Sequence, residues 1–198
     1  MAILSFAKHF MYSTALVLFM TIPCLVLSYV GMVRKKNALA TVIQSFVIVC
    51  IVTVIWTVVC YSLAFTPGGS LPGSFSRVML HGMAYIKGGK VKTLKVSHLT
   101  ATIPETVYRL YHMTFAIVTP ALLRGAFADR MKFSAMLMFM TLRSIFVYSP
   151  IAHMVSKPTG WLAGILDFAS RTVVHINSVL RIWSAVSCSA SVRAKART

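Results

Sequence analysis

Acidic side chains are almost absent: three Asp and Glu residues stand against 20 Lys and Arg in 198 residues, a formal net charge of +17. Charge of either sign is scarce too, at 12% of residues, while 58% are hydrophobic and mean hydropathy is +0.79. Soluble domains carry about 25% charged residues. The shortfall excludes that class and predicts an integral membrane protein. The basic excess invites a nucleic-acid reading, because clustered Lys and Arg release counterions from phosphate. Many of these residues instead flank apolar runs, where they act as interfacial anchors and orientation signals, so no nucleic-acid partner is expected. The four cysteines, Cys24, Cys50, Cys60 and Cys188, lack metal-ligand spacing and predict small buried hydrophobes. No Ser-His-Asp set, metal-ligand cluster or phosphate loop emerges, so neither an enzyme nor a cofactor is expected.

What is present is a succession of long apolar runs. The uncharged run at residues 10–33 is longer than the apolar core of a signal peptide and reads as a first spanning helix. Pro23 is expected to kink it, and Arg34, Lys35, Lys36 and Asn37 stop it. A second span is predicted at residues 38–65, rich in Val and Ile, so that the first two helices form an antiparallel hairpin. Residues 66–102 read as a long aqueous loop, opening on turn residues and carrying Lys87, Lys90, Lys92 and Lys95.

Thr102 and Glu105 have capping-box spacing, with Pro104 in the first turn, which predicts a third helix over residues 103–128. It crosses a core of about 30 Å only if Arg109 and Arg124 lie near its ends. A fourth helix is expected at 133–155 with Arg143 near its middle, and a fifth at 167–190, followed by a basic tail at 191–198. The fold class is therefore all-α, a polytopic transmembrane bundle of about five helices. Five spans put the termini on opposite sides. Discounting the long loop, the Lys and Arg distribution favours an N-terminus outside the cell membrane and a cytoplasmic C-terminus.

Ionisable groups at membrane depth are functional suspects. Asp167 can act as an N-cap of the fifth helix, or as a carboxylate that stabilises an incoming cation at the outer mouth; a capped carboxylate can do both. His175 lies eight residues on, about 12 Å along a helix. It is either a packing residue or a neutral imidazole lining a conduit and handling a proton. Tyr111 and Phe115, four residues apart, share a helix face and serve as core packing or as an aromatic gate.

Five stretches carry a closer likeness: VLFMTIPCLVLSYVGMVRKKN at 17–37, WTVVCYSLAFTP at 56–67, TIPETVYRLYHMTFAIVTPALLRGAFADRMKFSA at 102–135, PIAHM at 150–154 and LDFASRTVVHIN at 166–177. In this order they closely resemble ammonium transporters of the Amt/Mep/Rh family. The resemblance implies a homotrimer whose full-length subunits have about eleven helices, two inverted five-helix repeats around a narrow hydrophobic pore. It also implies ammonium or ammonia as the substrate. By motif position, Tyr111 and Phe115 match the stacked aromatic gate. Asp167 matches the acidic residue below the ammonium recruitment site, and His175 the first of two pore histidines.

The likeness has departures. Ser156 stands where the family places a recruitment-site Trp, which removes a cation-π partner. Ser170 and Arg171 replace the Gly-Gly of the LDFAGG motif and set a cation within a turn of Asp167. Arg124 and Arg143 replace apolar or aromatic residues, at a cost of about 3 kcal/mol for a central Arg on insertion scales. The likeness fades after Asn177, short of the second repeat. The expectation is a member of the family that recruits ammonium outside and conducts ammonia through a His-lined pore. The alternative is a non-transporting truncated remnant, or a half-subunit that alters the assembly of intact transporters.

Overall fold

The computed structural model describes residues 2–33, 35–69, 73–81, 86–87, 90–91, 103–127, 131–157, 160–167 and 170–179. Helix α1 covers residues 2–32, as Ala2–Phe19, a π-helical turn Met20–Cys24 and Leu25–Met32. The wide turn holds Pro23, which has no N–H to continue the regular ladder, so a π-helical turn stands at the expected kink position. Helix α2, Lys35–Phe65, follows at once. Helix α3 is Glu105–Phe127, helix α4 is Phe133–Ser156, and helix α5 occupies residues 171–179. Residues 180–198, with the second half of the expected fifth span, Cys188 and the basic tail, lie outside the described residues, as do Thr102 and Asp129.

By length and composition α2, α4 and Lys8–Met32 of α1 can each cross a membrane. Helix α3 is long enough, with Arg109 and Arg124 close to its two ends as a span requires. The loop after α2 contains a short 3-10 segment, Phe75–Leu80, and a two-residue antiparallel ladder pairing Ile86 with Val91 and Lys87 with Lys90.

Helix α2 is the central post, packed against α1, α3 and α4; α3 also touches α1 and α5. The reason is its sequence, apolar on every face and free of charge between Asn37 and Phe65. Ile48, Val52, Trp56 and Phe65 of α2 meet Ile117 and Leu123 of α3 and Met140 and Tyr148 of α4 in one core. Trp56 sits at its middle, with edge-on ring contacts to Tyr61, Phe65 and Tyr148 at 5.9–6.1 Å. Its indole N–H donates to the Arg109 carbonyl at 3.3 Å.

The outer faces are apolar. Leu16, Phe19 and Leu27 on α1, Leu39 and Phe46 on α2, and Met138 and Phe146 on α4 are all exposed. So large an uncovered surface fits hydrocarbon, not water. It also corrects the expectation for the cysteines: Cys60 is buried, but Cys24 and Cys50 are exposed. Their helices are hydrophobic all round, so composition did not reveal which side faces outward.

Candidate substrate pathway

Tyr111 and Phe115 stand one turn apart on α3, half-buried, with ring centroids 5.0 Å apart in an edge-on arrangement at 79°. Phe10 of α1 closes on Tyr111 at 4.5 Å. His112 fills the side toward α2, 4.6 Å from Phe65, 4.2 Å from Tyr108 and 5.5 Å from Tyr111. The pair is thus part of an aromatic cluster that links three helices.

Asp167 does not lie in a helix. The chain reaches it after a turn at 161–164, and α5 begins four residues later at Arg171. The residue before the helix, Ser170, has φ 55° and ψ 36°, a left-handed conformation that costs an L side chain about 1–2 kcal/mol. That bend brings the first turn of α5 back over Asp167, whose Oδ1 accepts a hydrogen bond from the Thr172 N–H at 2.8 Å. The carboxylate caps the helix from outside it, satisfying a free donor at the positive end of the helix dipole. Arg171, the first residue of α5, is exposed.

The first turns of α5 are π-helical, Arg171–Ile176. Val173, Val174, Asn177 and Ser178 are buried, whereas His175 and Ile176 are exposed. Ser178 Oγ donates to the Val174 carbonyl at 2.6 Å and lies 3.4 Å from the Thr119 carbonyl of α3. Asn177 Oδ1 accepts from Arg143 Nη2 of α4 at 3.2 Å. These bonds seat α5 against α3 and α4 and leave the His175 imidazole facing outward. Tyr111, Phe115 and His175 therefore stand on two neighbouring helices, and Asp167 caps one of them. No hydrogen bond or ring contact joins Asp167 or His175 to the aromatic pair among the described residues.

Ser156 ends α4, half-buried, in a polar end of the bundle that the sequence did not disclose. The next residue, Lys157, is buried and donates from Nζ to the Thr66 carbonyl at 3.1 Å; burial pushes its pKa down. His153 is 0% exposed, with Nδ1 2.9 Å from the Ala64 carbonyl and Nε2 3.1 Å from that of Gly69. Lys157 and His153 thus serve carbonyls at the end of α2, which have no partner inside their own helix, and one in the loop that follows it. Nearby, Glu105 is 1% exposed and accepts from Arg77 Nη1 at 2.8 Å and from the Tyr61 hydroxyl at 3.3 Å. The only hint of this pair in the sequence was Glu105 in a first turn, where capping alone explained it.

Among the described residues no three His, Cys, Asp or Glu side chains group as a metal site. The described residues thus offer a capped carboxylate, an aromatic pair and an exposed imidazole.

Residues 8–184 match the family model described as Ammonium Transporter Family. An ammonium transporter of Bacillus subtilis (strain 168) is 40% identical over 171 residues, 85% of this chain and 40% of that protein. One of Aquifex aeolicus is 39% identical over 170 residues, 84% of this chain and 37% of its own length. The crystal structure of Candida albicans Mep2 superposes with a TM-score of 0.71 at 30% identity, covering 85% of this chain and 36% of that one. The chain thus spans about 40% of the length of the curated relatives it matches. With the match running through every described helix, the chain belongs to the ammonium transporter family.

Proposed function

We propose that the chain serves transmembrane transport of ammonium or ammonia, contributing one side of a pathway through Tyr111, Phe115, Asp167 and His175. The observation that carries this reading is the placement of those residues within a family match: three of the four stand on α3 and α5, which Ser178 and Thr119 bring together, and Asp167 leads into α5. Tyr111 lies six residues into α3, about 9 Å from its start. Asp167 stands at the same end, so a cation arriving there meets the carboxylate first and the aromatic pair next. The carboxylate and aromatic faces favour the cation; the imidazole of His175 then takes or relays the proton. The end bearing Asp167 is assigned to the outside, with a cytoplasmic C-terminus, from the distribution of Lys and Arg.

His175 is exposed although its helix lies in an apolar bundle. An imidazole at membrane depth belongs in a bundle interior or a water-filled cavity, so this face is completed by further helices, as in a full-length member of the family, assembled as trimers. A second reading, a non-transporting companion of intact subunits, is favoured by Ser156 in place of the recruitment-site Trp and by Arg171 next to Asp167.

Methylammonium uptake by transporter-deficient cells tests the proposal. Uptake above the empty-vector level is expected, falling about tenfold in His175→Ala if a pore-lining step loses 1.4 kcal/mol. An inserted chain with no uptake overturns transport by this chain. If that chain also lowers uptake by a co-expressed intact transporter, the companion reading stands.

A further inference from the structure

The aromatic pair on α3 has an imidazole against it that the pathway does not use. The ring centroid of His112 is 5.5 Å from that of Tyr111 and 6.2 Å from that of Phe115. Phe65 and Tyr108 also lie against it, at 4.6 and 4.2 Å. Its Nδ1 stands 3.0 Å from the Tyr108 carbonyl, one turn back on the same helix. A carbonyl oxygen only accepts, so Nδ1 carries the hydrogen. In the neutral ring Nε2 is then a bare acceptor.

Among the described residues nothing donates to that nitrogen. His112 is half-buried, and Nε2 is not among the polar atoms closed off without a partner. Packing among four aromatic rings needs no ring nitrogen, and an apolar ring would fill the place without leaving a polar atom short. The unused acceptor calls for a small donor.

We infer that, on the transport pathway already proposed, Nε2 of His112 accepts a hydrogen bond from an ammonium ion held at Tyr111 and Phe115. It thereby selects cations that carry N–H over those that do not. The three ring centroids form a triangle with sides of 5.0, 5.5 and 6.2 Å. That spacing lets one small cation lie within about 6 Å of both aromatic centroids, the range of cation-π attraction, and within hydrogen-bond reach of His112. Aromatic faces attract any small cation. The imidazole distinguishes ammonium from potassium, an ion of nearly equal size, because potassium has no hydrogen to donate.

The test is nuclear magnetic resonance on the purified full chain in detergent, with isotope-labelled histidine and tyrosine. It is run at about pH 8, above the ordinary imidazole value of about 6.5. Ammonium chloride should shift the Nε2 resonance, the one that His112→Gln removes, in a saturable way, and potassium chloride should leave it in place. With the Tyr111 ring as the reporter, His112→Phe should weaken ammonium binding about tenfold, the scale of one charge-assisted hydrogen bond. His112→Gln, whose amide oxygen accepts, should keep most of the affinity. An unmoved Nε2 resonance, an equal response to potassium, or an unchanged affinity in His112→Phe overturns the inference. Binding is read here without transport: an inserted chain that shows the shift but takes up no methylammonium loses the transport reading and keeps the acceptor. One that transports without the shift loses the acceptor alone.

Discussion

The two ends of the bundle treat their basic side chains differently. At the end bearing Asp167, Arg77 meets Glu105, Lys157 meets the Thr66 carbonyl, and His153 sits between two carbonyls of the α2 terminus and its loop. At the other end Arg124 has only the neutral acceptors Thr41 and Ser45, and its Nη2 has none. The first set closes on itself and fixes the loop after α2 against α3 and α4. The second is left short of acceptors. A buried charge that its own fold satisfies holds the fold together, and one that its fold leaves short costs stability.

The strongest way to break that contrast is Glu105→Ala. It strips Arg77 and the Tyr61 hydroxyl of their common acceptor, and removing one member of a buried pair costs about 3–5 kcal/mol. The unfolding midpoint in detergent should drop accordingly; an unchanged midpoint would mean that the pair behaves as a solvated surface contact. Arg124→Met should go the other way. Replacing an incompletely compensated buried ion by an apolar side chain of similar length stabilises by about 1–4 kcal/mol in lipid-free detergent. A loss of stability as large as that of Glu105→Ala would place Arg124 in the structural class after all.

These ends differ in how far the sequence discloses them. Helices α1 to α4 follow from long apolar runs punctuated by basic or turn residues, and the Tyr111–Phe115 contact follows from i, i+4 spacing. Glu105 and Arg77 are 28 residues apart across a loop, and His153 lies 89 and 84 positions from its two carbonyls. No periodicity links such partners, because the contact exists only once α2, α3 and α4 are packed. The start of α5 shows another limit. Asp167 has the chemistry of a cap, but Ser170 bends into the left-handed region, and the carboxylate reaches the helix from four residues upstream of it.

That bend supplies a smaller test, on strain instead of charge. Ser170 occupies a conformation that glycine adopts without penalty. Ser170→Gly should stabilise by about 1 kcal/mol, read as a small rise in the unfolding midpoint with the Asp167 cap retained. A fall would show that the Ser170 side chain contributes more to this end than its backbone costs.

The smallest expected effect probes the end bearing Asp167 where it is weakest. Lys157 has a carbonyl for its ammonium but lies buried, and desolvation lowers its pKa from the usual 10.5. In the unfolded chain the amine keeps its proton until about pH 10.5. As pH rises past the folded-state value toward 10.5, the folded protein has released a proton that the unfolded protein still holds, so stability increases across that window. Unfolding curves for the protein and for Lys157→Met, measured side by side, isolate this contribution from other groups that titrate there. A rise in the protein that the variant lacks shows a cation held at a cost. If the two curves run parallel, the Thr66 carbonyl compensates burial fully, and the contrast with Arg124 becomes sharper, because one carbonyl then suffices at this end where two neutral acceptors do not at the other.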